Sequence, residues 1–402
     1  MAFLPSSLSR RRFLSALAAV APMPFLSSRS RGQSGASPAA DTPPLGQDFS
    51  AFPLTVVGQA DDQAVRKSEA SMITLHDNTV LLAYATHSGR SDNDPAPIVT
   101  RLLSPDGVPL TPERVTVQPP PGGMNSMSPA LRRLPDGRIG MLFSYRMSVH
   151  DASRRFITSS DEGQTWSEAV VVASGGYKTG CHDRFTVHSS GRLLAPCHCT
   201  ADWNGHHLHV EVARSDDLGK TWQMSPSIEL PTVRWMIPHA PGIESGCIEP
   251  CIVERADGSL LMTMRTAMGT QFKSESADRG ESWSPPRSLE VISPLAPAHL
   301  SRLPGSDRLL LLWTPDFKAD VNLMGERHTI MSCVSDDGGR SWPLERRKVL
   351  VHLPTQNVDY PCLLYRGNEA WIGLRVSTGV GILQGHTSTC LVRTPLSWFM
   401  PV

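Results

Sequence analysis

The chain has no surplus of either charge: 38 Lys and Arg stand against 38 Asp and Glu across 402 residues, and no basic stripe runs along it. That balance leaves no electrostatic footprint for nucleic acid. Beyond the first 30 residues no apolar run is long enough to cross a bilayer as a helix, so no stable membrane insertion by that route is expected. Helical periodicity is equally scarce after the N-terminus. Tyrosine is rare, with 5 in the whole chain, so each one weighs more in a site argument. What the sequence has in quantity is punctuation: 31 Gly and 34 Pro imply frequent turns between short strands.

The first residues read as an address. Ser9-Arg10-Arg11-Arg12-Phe13-Leu14 resembles a twin-arginine export signal, followed by a short apolar run to Leu26 interrupted by Pro22 and Pro24. Residues 1–30 are read as that signal, 31–50 as a polar linker and 51–402 as the folded domain, exported to the periplasm or beyond. Eight cysteines, at 181, 197, 199, 247, 251, 333, 362 and 390, permit disulfides without requiring them in a domain this large.

One element recurs along the chain: an apolar strand, a tight polar turn and a second apolar strand. Examples are MITLHDNTVLLAYA (72–85), LRRLPDGRIGMLFS (131–144), FTVHSSGRLLAPCH (185–198), CIVERADGSLLMTMR (251–265), LSRLPGSDRLLLLW (300–313) and CLLYRGNEAWIGLRV (362–376). Asp-Gly and similar tips between apolar runs are hairpin signals. The tips Asp77, Asp136, Gly191, Asp257, Ser306 and Gly367 are spaced by 59, 55, 66, 49 and 61 residues. A second motif, SSDEGQTW at 159–166, returns as SDDLGKTW (215–222), SADRGESW (276–283) and SDDGGRSW (335–342), with its Asp spaced by 56, 61 and 59. Two independent signals sharing one period imply a repeated four-stranded antiparallel unit. About 58 residues per unit over residues 51–402 gives an all-β, six-bladed β-propeller. Ser104-Pro105-Asp106-Gly107 reads as a worn copy of the motif, and Pro53–Gly58 is expected to supply the last blade's fourth strand.

The motif itself reads as architecture. Asp accepts backbone N–H groups and fixes a turn, Gly permits positive φ, and Trp packs inward. A calcium loop would need alternating oxygen ligands and a closing Glu, which are missing.

Repeated S-x-D-x-G-x-[ST]-W motifs on a six-bladed propeller resemble the Asp-box sialidases, over nearly all of the chain after residue 50. The resemblance implies hydrolysis of a terminal α-linked sialic acid with retention, through a tyrosyl-enzyme intermediate and without metal or organic cofactor. A sialic acid carries a carboxylate at its anomeric carbon, which suits guanidinium binding and a Tyr nucleophile in place of a carboxylate. Cys247-Ile248-Glu249-Pro250 and the following hairpin then make Glu249 the base for Tyr and Arg265 a carboxylate-binding Arg. Gly325-Glu326-Arg327 supplies another, Arg327, and Val358-Asp359-Tyr360-Pro361 the nucleophile, Tyr360. The first Arg is Arg66 in VRKSEASMITL, which lacks the family's Arg-x-Pro proline. The acid lies in GRSDNDPAPIV, as Asp92 in preference to Asp94.

His182, Asp183 and Arg184 start a hairpin equivalent to that of Glu249 and are expected to line the substrate pocket, with Asn125–Ser128 at the same blade position. Cys197, His198, Cys199, His206, His207 and His209 form a soft-ligand stretch, but the spacing fits no zinc pattern, and alternation points His198 away from the two cysteines. Cys247 and Cys251 are expected to share a face with Glu249 and to raise its pKa by desolvation. The expected partner is a sialylated or other acidic glycan. Two rival functions stay open: another exo-glycosidase or a lyase for acidic sugars on the same scaffold, and a non-catalytic glycan-binding propeller.

Overall fold

The hairpin tips form as their side chains dictate. Asp77 Oδ1 accepts the backbone N–H of Thr79 at 2.9 Å, and Asp257 Oδ1 accepts that of Ser259 at 2.9 Å. Gly137, Gly191 and Gly258 take φ of 87°, 88° and 80° at three of the tips, a region closed to most side chains. In this computed structural model residues 47–200, 208–230, 246–317, 326–379 and 385–400 are described; the export signal, most of the linker, His206, His207 and Gly325 lie outside them.

The described chain is all-β. Helix among those residues is confined to a 3-10 turn, Leu344–Arg346, and one short α-turn, Leu396–Phe399, and no helix is long and apolar enough to cross a membrane. Strands pair up and down in sequence order. Arg66–Thr74 pairs with Val80–His87, that strand with Ile98–Leu103, and that one with Arg114–Val117. The same meander follows from Asn125–Arg133 to Val170–Ala173 and from Ile248–Glu254 to Arg287–Ile292. Leu54–Gly58 pairs with Thr387–Pro395, supplying an outer strand to the last sheet. The last two residues of the expected linker are a strand, because Phe49–Ser50 pairs with Lys348–His352.

Second strands of these meanders are covered on both faces, so they read as continuous apolar runs: Leu309–Trp313 is fully buried along its length. Each sheet packs on the next. Leu81 and Phe143 share a core cluster, as do Phe156 and Leu193, Leu194 and Leu260, Leu261 and Leu309, and Leu310 and Ile372. Leu82 of the first meander then packs with Trp371 and Leu391 of the last. Met72, Leu131, Phe185, Ile252, Leu300 and Leu363 all line one cavity of about 470 Å³.

The Asp motif has one geometry in four places. Ser159 Oγ donates to Asp161 Oδ1 at 2.7 Å and accepts Gly163 N–H at 2.8 Å, while Asp161 accepts Thr165 N–H at 2.8 Å and its hydroxyl at 2.5 Å. The Ser215, Ser276 and Ser335 copies repeat the set. The motif glycine also abuts the preceding sheet. A Cβ on Gly163 would stand 2.7 Å from Leu81, and on Gly219 2.2 Å from Phe156. The motif therefore seals neighbouring sheets together as well as turning the chain.

Candidate active site

One backbone device aims the side chains of the site. In the strand Ile248–Glu254 the register passes from Ile248↔Arg265 to Cys251↔Thr263, so one extra residue bulges out. The strand Val358–Arg366 does the same between Asp359↔Arg375 and Cys362↔Gly373. The bulged residues Glu249 and Tyr360 adopt φ of 48° and 53°, the left-handed region, which costs a non-glycine residue on the order of 1 kcal/mol or more. Glu69, Ser128 and Asp183 adopt it as well, at 62°, 56° and 54°. Each sits where the first strand of a meander begins.

Tyr360, Glu249 and Arg265 meet at this point. Tyr360 donates its hydroxyl to Glu249 Oε1 at 2.8 Å, and Arg265 Nη1 donates to Glu249 Oε2 at 2.6 Å and to the Tyr360 oxygen at 3.1 Å. Burial pushes the Tyr360 phenol well above its ordinary pKa, and the neighbouring Glu249 charge adds to this. Burial pushes Glu249 upward too, but Arg265 outweighs it and holds the carboxyl below its ordinary value. The expected upward shift from flanking cysteines is thus not found. The bulge breaks the alternation that would have put the three on one face: Cys247 packs in one inter-sheet core and Cys251 in the next.

Beneath the tyrosine lies a second charged set. Asp359 accepts Arg375 Nε and Nη2, each at 2.6 Å, and Arg327 Nη1 at 2.8 Å. Arg327 Nη2 donates to the Leu295 carbonyl at 2.5 Å. The Arg375 guanidinium carbon lies 4.2 Å from the Tyr360 ring centroid and that of Arg327 5.8 Å, both within cation–π range. His182 stacks on the same ring with centroids 5.5 Å apart, and its Nε2 meets the Tyr360 carbonyl oxygen at 3.1 Å. Burial, with Arg184 beside it, lowers the His182 pKa to about 3, so this imidazole is neutral.

On the first meander Arg66, buried, donates to Asp92 Oδ1 at 2.5 Å, and its Nη2 meets His87 Nε2 at 2.6 Å. Asp92 is 56% exposed. Partial desolvation raises its carboxyl, but Arg66 outweighs this and holds it well below the usual carboxylate range. Asn125 Nδ2 binds the Asp92 and Asp94 carbonyls at 2.7 and 3.0 Å, and Arg146 donates to the Asp92 carbonyl and, at 2.8 Å, to Asn93 Oδ1. Asp94 turns its carboxylate back into its own loop, accepting Ser91 N–H at 2.7 Å.

Asp183 and Arg184 lie deeper than a pocket lining would. Asp183 is 1% exposed and accepts Ser71 Oγ, Arg132 Nη1, His299 Nε2 and the Leu363 N–H. Arg184, as buried, donates to the carbonyls of Ala298 and Pro361. Both fasten inner strands, and Arg184 secures the residue after Tyr360. Sequence reasoning missed Arg375, Arg146, His87 and Glu69. His198, picked out in the soft-ligand stretch, touches Thr179 Oγ1 at 2.6 Å and the Glu249 N–H at 3.4 Å. A residue-proline step at 128–129, 249–250 and 360–361 marks three of the bulged positions, but Glu69 precedes Ala70 and the step does not reach it. His198 does face away from the cysteines: Cys199, His209 and Glu211 lie together on the other side with ligand atoms within 4.8 Å. The Lys178 ammonium already pairs with Glu211 there at 2.5 Å. All eight cysteines are buried and unpaired.

A family model described as a BNR repeat-like domain matches residues 111–372. A search of curated proteins finds no match. Among solved structures, a protein of unknown function from Dyadobacter fermentans is 16% identical, covers 87% of this chain and 100% of its own, and superposes with a TM-score of 0.67. The NanB sialidase of Streptococcus pneumoniae is 13% identical, over 87% of this chain and 71% of its own, with a TM-score of 0.65. A Trypanosoma rangeli sialidase holding 2,3-difluorosialic acid as a covalent intermediate is 14% identical, over 88% of this chain and 59% of its own, at 0.61. At such identities the likeness is one of fold.

Proposed function

The chain belongs to the BNR repeat-like domain family, and on that premise we propose that it is an exported exo-glycosidase that releases terminal α-linked sialic acid with retention. The observation that carries this reading is the Tyr360 hydroxyl held at 2.8 Å by Glu249 while Arg265 contacts both. A tyrosine whose proton is already directed at a buried carboxylate is set up as a nucleophile. The inter-sheet cores that run from the first meander to the last, and the cavity that residues of six inner strands line, support a closed six-bladed, four-stranded propeller. The sequence at residues 1–30 supports export through the twin-arginine route, with a linker from residue 31 that ends before the strand Phe49–Ser50.

In this mechanism Tyr360 Oη attacks the anomeric carbon while Glu249 takes its proton. Asp92 protonates the departing glycosidic oxygen and then removes a proton from the water that cleaves the tyrosyl intermediate. Arg66, Arg265 and Arg327 are the proposed carboxylate-binding set, and Arg375 adds a fourth guanidinium beside Tyr360. A substrate carboxylate entering at Arg66 competes with Asp92 for it. Release from that ion pair, next to a new negative charge, raises the Asp92 pKa and lets it carry the proton an acid needs.

Incubation of the folded protein with a fluorogenic sialoside tests the reading. Release is expected. No release at any pH would overturn it, and binding without release would favour a glycan-binding propeller.

A further inference from the structure

Glu69 has a carboxyl that the proposed mechanism leaves idle. It is placed by the same one-residue bulge as Glu249 and Tyr360, the register passing from Ser68↔Ala85 to Ser71↔Ala83, and it shares their left-handed backbone with φ of 62°. Among the described residues its carboxyl receives one hydrogen bond, from Ser128 Oγ to Oε2 at 2.5 Å, so Oε1 has no partner. The contrast with Asp183, whose two oxygens take four donors, is one of role: Asp183 is used up by the fold and Glu69 is not.

The groups acting on Glu69 belong to the pocket. Arg66 stands on its own strand, Asp92 in the loop after the partner strand, and Arg375 on the second strand of the last sheet, over Tyr360. Behind Ser128 stands Arg154. Its Nη1 reaches the Ser128 carbonyl at 3.4 Å and Ser144 Oγ at 2.9 Å, while Nε and Nη2 are buried with no hydrogen-bond partner.

We infer that Glu69 is a specificity-determining residue of this pocket, and that its free Oε1 hydrogen-bonds the acidic sugar beside the guanidiniums of Arg66 and Arg375. The inference rests on the proposed function and names what distinguishes this pocket within it. Burial raises the Glu69 pKa by more than Arg66 lowers it, so the group tends toward the neutral acid, which can donate to an anion. A sugar carboxylate at Arg66 and Arg375 removes the positive potential that favours ionised Glu69 and adds a like charge. Binding therefore draws a proton onto Glu69.

Calorimetric titration of the full protein with N-acetylneuraminic acid, in two buffers of different ionisation enthalpy, tests this. The wild type should take up a proton on binding. Glu69→Gln, which keeps the size and the Ser128 contact, should reduce that uptake to the share Asp92 contributes, and Glu69→Ala should weaken binding about ten- to hundredfold. Unchanged affinity and unchanged uptake in a folded Glu69→Gln protein would overturn the inference, whatever Glu69→Ala does. If the wild type still hydrolyses sialosides in that case, the proposed function stands alone. A folded wild type that neither binds nor cleaves a sialoside would overturn both.

Discussion

Tyr360 and Glu249 share a backbone conformation as well as a hydrogen bond: each is a non-glycine residue at φ near 50° on a bulged inner strand, and their side chains meet at 2.8 Å. The strain is stored twice at the same spot. Replacing Tyr360 with Phe removes the nucleophilic oxygen and keeps the ring that His182 and Arg375 hold. Turnover of a sialoside is expected to fall by about 10³-fold or more, with ligand affinity changed by less than about tenfold. Steady-state kinetics beside calorimetry separates the two effects, and an unaffected kcat would remove Tyr360 from the mechanism.

The pH profile follows from Arg265. Glu249 works as a base, so it must be ionised, and Arg265 holds its pKa below the ordinary value. The base is therefore active above that lowered value, and the acidic limb of activity appears as the pH falls through it, below the ordinary carboxylate range. Arg265→Ala should move the acidic limb of kcat/KM upward. A limb that stays in place would show that Arg265 does not set the charge of Glu249.

Asp92 is expected to matter in proportion to the leaving group. Asp92→Ala should slow hydrolysis of a natural disaccharide linkage by about 10²–10⁴-fold and that of an aryl sialoside with an acidic leaving group far less. Equal losses for both substrates would reassign the acid.

Stability should depend on Asp183. Burial alone would raise its pKa, but Arg132 and His299 outweigh this and hold it well below the usual range. A depressed folded pKa gives stability that is full above the unfolded value of about 3.9 and is lost as the pH falls toward the folded one. Asp183→Ala leaves Arg132 and His299 without their buried partner and should cost about 3–5 kcal/mol in denaturant unfolding at neutral pH. Its unfolding free energy should also be flatter than that of the wild type below about pH 4.

Two glycines with nearly equal φ separate strain from packing. Gly219, at 86°, faces Phe156, whereas Gly137, at 87°, has nothing within 4 Å of its missing Cβ. Gly137→Ala should cost about 1 kcal/mol and Gly219→Ala about 2–4 kcal/mol, neither changing KM. Equal losses by thermal unfolding would mean that the motif does not press on the preceding sheet.

The architecture was legible where its chemistry is local. Asp77, Asp257 and the four Ser-Asp-Gly motifs specify turns with atoms a few residues apart, so their pattern announces hairpins and a repeat directly. Glu249, Arg265 and Tyr360 were picked out by resemblance, and the fold brings them into contact. What alternation could not show is where alternation stops. One inserted residue at Glu249 sends Cys247 and Cys251 into different cores and leaves Arg265, rather than the cysteines, to set the charge of the carboxylate. Asp183 looked like a pocket residue because it begins a hairpin as Glu249 does, yet its oxygens are consumed by Ser71, Arg132, His299 and Leu363, from strands far apart in sequence. Arg375 was invisible for a related reason: its importance lies in Asp359 and the Tyr360 ring, across a register shift.

The strands Phe49–Ser50 and Leu54–Gly58 complete sheets otherwise made from the last part of the chain, pairing with Lys348–His352 and Thr387–Pro395. Those pairings span some 300 residues, and none can form on a ribosome until synthesis is nearly finished. Until then the nascent protein waits with two unprotected edges, open to self-association. A single cut between Gly58 and Arg66 would leave every proposed catalytic group in place while freeing the short segment that closes the last sheet. Such a nicked protein should begin active and age by aggregation.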